Sequence, residues 1–194
     1  MIALFYVALV ALATLSLLLL LTIAIDCFTL WPIPNRQSWQ GRVFWPLFRT
    51  GLGLTIVLGA VEAFTVPPGW PLAIGLPLAL SGLSVTIYGY FDLGLRNTYC
   101  ADAGLVTSGL YHYSRNPQYL ASITAYLGLA IAANDAAMAI LCALAIGVYC
   151  LLPLAEEPWL ARAYGASYKL YKRRTPRFFS LSRLLEKPIA ASAD

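Results

Sequence analysis

The residues 104–120, GLVTSGLYHYSRNPQYL, crowd polar, aromatic and turn-forming side chains between long apolar runs. Residues 107–109 form a turn cluster. Asn116 followed by Pro117 is typical of a helix start, because Asn can cap free amides and Pro has no amide to leave unpaired. The pattern predicts a loop that delivers tyrosine, histidine and arginine side chains to the mouth of a helix.

A second polar element is the pair Glu156 and Glu157, which lies between Pro153 and Pro158. A carboxylate opposite a loop rich in amides and aromatic rings suits a ligand with a cation, hydroxyl groups and a flat base. Two structural interpretations stay open: Asn-Pro could be only a helix start, and the carboxylates could only complement the dipole of a helix opened by Pro158. His112 could carry a proton near neutral pH or simply be solvated.

Composition identifies an integral membrane protein. The 194 residues are 60% hydrophobic and 11% charged, with a mean hydropathy of +0.71, whereas soluble domains carry about 25% charged residues. The four cysteines have no C-x-x-C spacing and there is one histidine, so we expect neither a metal site nor a disulfide framework. The basic residues flank apolar runs, which favours a role in topology over nucleic-acid binding.

The apolar runs predict an all-α membrane fold with five transmembrane helices. The fourth run is short, about 25 Å as a helix, and forms a hairpin with the fifth. Pro153 and Pro158 predict that the fifth helix ends there and that an amphipathic interfacial helix follows, with Leu160, Tyr164, Tyr168 and Tyr171 on one face. The five runs cover residues 2–25, 44–66, 70–95, 117–133 and 136–155.

Threading five helices through a bilayer places all 13 Lys and Arg residues on one side. The positive-inside rule then predicts that the N-terminus lies outside and that the C-terminus and both polar elements are cytoplasmic. We expect one membrane domain over residues 1–194, with a three-helix scaffold over 1–95 and a catalytic region over 96–179. The expected partner is the lipid bilayer, and we expect a monomer.

The two polar segments resemble the isoprenylcysteine carboxyl methyltransferase family. LVTSGLYHYSRNPQYL, a hydrophobic hairpin and EEPWLARAYGASYKLYKRRTPRF follow the order and spacing of that family's L-V-T-x-G-x-Y-x-x-x-R-(H/N)-P-x-Y, E-E and Y-G-x-x-Y-x-x-Y-x-x-x-x-P-R elements. The resemblance implies S-adenosylmethionine-dependent methyl transfer to a lipidic or prenylated acceptor at the cytosolic membrane face, with carboxyl O-methylation favoured.

The resemblance also implies a set of cofactor-binding residues but no catalytic residue. Asn116 stands where the eukaryotic enzymes have His, and Leu152 stands where they have an arginine linked to the substrate, which puts a prenylcysteine acceptor in doubt. The implied cofactor residues are Ala103, Gly104, Leu105, Val106, Tyr111, Asn116, Pro117, Gln118, Tyr119 and Glu156.

Three alternatives stay open. A phospholipid amine N-methyltransferase also has paired glutamates, and a basic cluster such as Arg173 and Arg174 could bind its phosphate. Membrane sterol reductases have a similar C-terminal region that binds NADPH, although Pro117 departs from their R-H-x-N-Y box. A non-catalytic scaffold would leave both polar elements unexplained. For a methyltransferase we expect the acceptor to enter sideways from the bilayer, along a groove near Ala121 and Gly128.

Overall fold

The computed structural model describes residues 1–35, 37–93 and 104–179, and within these ranges the chain is helical with no strand. This agrees with the predicted all-α class. Five long helices and a short 3-10 turn, Gly109–His112, are present in the described ranges. The helices are α1 (Ile2–Ala24), α2 (Trp39–Ala63), α3 (Trp70–Leu93), α4 (Pro117–Ala133) and α5 (Ala136–Arg174).

Four helical segments are long and apolar enough to cross a membrane: α1, α2, Trp70–Gly89 of α3, and α5. The chain is therefore a membrane protein. Helix α4 has 17 residues, which span about 25 Å and fall short of a hydrocarbon core of roughly 30 Å. The predicted fifth crossing stays a prediction.

Helix α2 begins five residues before its predicted start at residue 44. The Ser38 side chain accepts a hydrogen bond from the Gly41 amide at 3.2 Å, and this cap satisfies one of the free amides at the start of the helix. Helix α5 begins in the same way, because the Asp135 carboxylate accepts from the Met138 amide at 2.9 Å. Both caps are local sequence signals, and they fix where each helix enters the bundle.

Helix α5 does not end at its prolines, so the predicted separate C-terminal helix is wrong in its boundary. Pro153 and Pro158 lie inside one helical run, and the only non-helical backbone within it is at Gly165, with φ 50° and ψ −120°. Each proline removes a single amide donor, a loss that membrane helices tolerate where neighbouring groups compensate. Gly165 adopts a conformation that residues with a Cβ avoid.

Helices α3 and α4 approach so closely that a side chain could not fit between them. A Cβ placed on Gly82 would lie 2.6 Å from the Ala121 carbonyl oxygen, and one on Gly128 would lie 2.7 Å from the Gly75 carbonyl oxygen. Small residues promote this packing between membrane helices. Gly128 therefore faces α3, which contradicts its predicted place in a lipid groove. Ala121 lines a groove together with residues such as Val85 and Leu120, so the predicted entry of the acceptor beside Ala121 stays a prediction.

The other side of the bundle is an apolar core between α1, α2 and α5. Leu12 and Leu15 of α1 and Leu141 of α5 are fully buried there. The connection after α1 folds back onto this core, since the Trp31 ring stacks on Phe44 with 4.5 Å between centroids. These packed aromatic rings also form one wall of a cavity.

Candidate functional site

A cavity of about 800 Å³ lies where the connection after α1, the first turns of α2, the loop before α4 and the middle of α5 meet. Its size falls within the roughly 300–1,000 Å³ that small-molecule sites occupy. The cavity brings together the two polar elements, which lie more than 35 residues apart in the chain. It is the candidate functional site.

Eight of the ten predicted cofactor residues line this cavity. Pro117 instead lines a separate groove of about 360 Å³, and Ala103 lies outside the described residues. The structure thus brings most of the set together, while their role in binding stays a prediction. The eight are Gly104, Leu105, Val106, Tyr111, Asn116, Gln118, Tyr119 and Glu156.

Glu156 faces the cavity, and its partners are neutral. The Tyr119 hydroxyl donates to Glu156 Oε2 at 3.2 Å, and the indole N–H of Trp31 lies close to the same carboxyl group. Each ion pair of the described residues involves Glu157 instead. Glu156 therefore offers a carboxyl group that forms no ion pair with a cation of the described residues.

Glu157 has a different role from its neighbour, because its buried carboxylate gathers three cations. Its oxygens lie 2.8 Å from Arg115 Nη1, 3.0 Å from Lys172 Nζ and 2.7 Å from Arg177 Nε. Three hydrogen-bonded cations therefore compensate the charge of this buried carboxylate. The predicted dipole role is wrong, since no helix starts at Pro158.

The segment 175–178 is tied across the loop that precedes α4. The Arg115 amide donates to the Pro176 carbonyl at 2.9 Å, and Asn116 Nδ2 donates to the Arg177 carbonyl at 3.0 Å. The Tyr171 hydroxyl donates to the Tyr111 carbonyl at 2.7 Å. Asn116 makes no side-chain cap on α4, so its predicted capping role is wrong and its side chain anchors this segment instead.

Several residues that line the cavity were not predicted from the sequence. The tyrosine face of α5 was expected to pack at the membrane interface, but Tyr164, Tyr168 and Tyr171 line the cavity. Their helical spacing identified the face and could not identify what it contacts. His112 is absent from the described lining, and its ring packs edge-on against Tyr113 at 5.0 Å. The aromatic wall of the connection and of α2 comprises Trp31, Phe44, Trp45 and Phe48.

The sequence of this helical membrane protein matches the model of a known family. Residues 70–167, just over half of the chain, match the family model described as phospholipid methyltransferase. The chain belongs to the phospholipid methyltransferase family. The match confirms the class that the motifs indicate, while membership of the isoprenylcysteine family stays a prediction.

Two curated proteins are similar to part of the chain. The cobalt-zinc-cadmium resistance protein CzcN of Cupriavidus metallidurans is 32% identical over 111 residues, which are 57% of this chain and 51% of that protein. The phosphatidylethanolamine N-methyltransferase of Schizosaccharomyces pombe is 25% identical over 127 residues, covering 58% of this chain and 14% of that protein. The chain thus spans about half of the first relative and less of the second. No solved structure matches it significantly.

Proposed function

We propose that this protein transfers a methyl group from S-adenosylmethionine to a lipid-soluble acceptor at the cytosolic membrane face. The observation that carries the proposal is Glu156, a carboxyl group that pairs with no cation of the described residues and faces the same cavity as the loop 104–119. Membership of the phospholipid methyltransferase family supports this class of reaction. The proposal adds the methyl donor, the place where it binds and the kind of acceptor.

The residues around the cavity fit the proposed methyl donor. Glu156 would accept hydrogen bonds from an ammonium or from ribose hydroxyls, and Tyr111 offers an aromatic ring beside a flat base or a cation. Gly104 has φ +100° and open space where a Cβ would stand, so the backbone there can approach a ligand closely. S-adenosylmethionine supplies a methyl group already activated on a sulfonium.

The lining of the cavity suits a carboxylate acceptor best. One carboxylate oxygen forms the new C–O bond while the C–S bond breaks, the bonding electrons leave with the sulfur, and no proton moves. With Glu156 assigned to the cofactor and Glu157 held by three cations, the described lining offers no free carboxylate base. Holding donor and acceptor in line can by itself contribute roughly 7–11 kcal/mol.

Methylation of a phospholipid amine is the second candidate. The family match and the yeast relative's name favour it. An ammonium acceptor must first lose a proton, and in this cavity a tyrosine hydroxyl or Glu156 would have to accept it. A reaction that depends on a base should therefore show a strong pH dependence that carboxylate methylation lacks.

The apolar wall formed by α2 and α5 is where we place the acceptor's tail. Phe48 and Tyr149 pack edge-on at 6.0 Å, and the buried Leu152 lines the same cavity. Because the expected groove around Gly128 is filled by α3, lateral entry along α2 and α5 replaces it. The bilayer would then supply the acceptor and the cytosol would supply the donor.

Calorimetry with S-adenosylhomocysteine tests the cofactor site. Glu156→Gln should weaken binding by about 1.5–3 kcal/mol, because it removes a charged acceptor. Glu62→Gln, at the far end of α2, is the matched control and should bind normally. An unchanged affinity in Glu156→Gln would refute the site assignment.

Transfer of labelled methyl groups tests the acceptor. Nanodiscs that hold either farnesylated cysteine or phosphatidylethanolamine should be compared in the same assay with wild-type protein. Carboxyl methylation predicts base-labile label in the first lipid only, and amine methylation predicts stable label in the second. Methylation of water-soluble analogues alone would contradict a lipid acceptor.

A further inference from the structure

Arg49 is a charged residue deep inside a membrane-crossing helix. It is the eleventh residue of α2, about 15 Å along the helix axis from Trp39, and α2 is one of the four candidate spans. Charged side chains are costly at such positions and usually face a cavity or a ligand path. Its position therefore calls for a functional explanation.

The Arg49 side chain lies at the cavity wall. Its guanidinium carbon is 5.2 Å from the centroid of the Trp45 ring, one turn nearer the start of α2, which is the direction in which helical side chains lean. Both residues line the cavity. The positive charge is thus held beside the cavity by contact with an aromatic ring that itself lines the space.

Among the side chains that the structure describes, no carboxylate pairs with Arg49. Arg115, which also lines the cavity, pairs with Glu157 at 2.8 Å, and Glu157 also binds Lys172 and Arg177. Each ion pair between described side chains involves Glu157, and none of them includes Arg49. A guanidinium in this state attracts oxyanions, and its planar fork matches carboxylate and phosphate groups.

We propose that Arg49 binds the oxyanion, phosphate or carboxylate, of the membrane-embedded acceptor. This inference rests on the proposed function, in which the acceptor is a lipid. Arg49 belongs to α2, which supplies none of the predicted cofactor residues, and Phe44 and Phe48 on the same helix are apolar. An anionic lipid head held by Arg49 would place its tail along this aromatic wall.

The test measures lipid binding separately from cofactor binding. Purified protein in neutral detergent is titrated with oleate, phosphatidic acid or diacylglycerol that carries brominated chains, and binding is followed by quenching of tryptophan fluorescence, since Trp45 lies beside Arg49. Arg49→Gln should weaken the binding of one or both anionic lipids by roughly 10- to 100-fold, because a charge-assisted hydrogen bond is lost. Diacylglycerol should bind weakly to every variant.

Arg42→Gln is the matched control. Arg42 lies on the same helix and is exposed, as Arg49 is, but it lies outside the cavity and donates from Nε to the Gln37 carbonyl at 3.0 Å. The Arg42→Gln variant should bind the anionic lipids with wild-type affinity. The affinity of both variants for S-adenosylhomocysteine should be within twofold of the wild-type value. Arg49→Lys keeps the charge without the fork and should fall between wild type and Arg49→Gln, which provides a second measurement if Arg49→Gln does not fold.

Each outcome decides the proposal. If Arg49→Gln loses binding of oleate only, the group that Arg49 binds is a carboxylate. If it loses binding of phosphatidic acid only, the group is a phosphate. The proposal would be overturned if Arg49→Gln and Arg42→Gln lost anionic-lipid binding equally, or if neither lost it. It would also be overturned if Arg49→Gln bound S-adenosylhomocysteine more weakly while its lipid binding was unchanged. A wild type that binds anionic lipid but no S-adenosylhomocysteine would refute the proposed cofactor site and leave the role of Arg49 standing.

Discussion

Replacing the Glu157 carboxylate by a neutral amide should destabilise the folded protein by more than the loss of a single exposed ion pair would. Glu157→Gln leaves three cations without their anion, and one of them, Arg115, has a side chain only 8% exposed. Lys172 and Arg177 are 50% and 37% exposed and can rehydrate. Breaking a buried ion pair typically costs ~3–5 kcal/mol, and we expect about 3 kcal/mol here because two of the three cations can rehydrate.

Thermal unfolding in detergent measures the loss of stability in Glu157→Gln. A loss of about 3 kcal/mol should lower Tm by roughly 6–12 °C for a chain of this size. Lys172→Gln should cost under about 1 kcal/mol because the lysine is half exposed, and Glu62→Gln controls for removal of a carboxylate elsewhere. A Glu157→Gln protein that melts within 2 °C of wild type at pH 7 would refute the reasoning.

Three further outcomes are expected. Gly128→Ala should lower stability by about 1–3 kcal/mol through overpacking against α3, whereas Gly53→Ala, with nothing within 4 Å of its new methyl group, should not; equal melting temperatures would contradict the close α3–α4 contact. Gly165→Ala should cost about 1–3 kcal/mol of stability because φ is +50° there, and unchanged thermal unfolding would argue against the kink. Cysteines placed at residues 67–69 and 134–135 should react with an impermeant label from outside, and labelling only from the cytoplasm would overturn the topology.

The sequence by itself determined the membrane class, the helices and most of the candidate site. Long uncharged runs dictate helices, because a backbone in lipid must satisfy its hydrogen bonds internally. The Asp135 cap is equally local, since a carboxylate reaches an amide three residues away. The loop residues from Gly104 to Tyr119 were found because their order and spacing resemble those of known methyltransferases.

Tertiary structure alone decided what the polar residues contact. Glu156 and Glu157 are adjacent in sequence, yet one faces the cavity and the other binds Arg115, 42 residues away. Asn116 looked like a helix cap, but its amide reaches Arg177 across 61 residues. Local pattern specifies a residue's conformation and face, whereas a partner so distant is chosen only when the helices pack. For the same reason Arg49, a residue near one end of a predicted span, was recognised as part of the cavity only when α2 was packed beside α5.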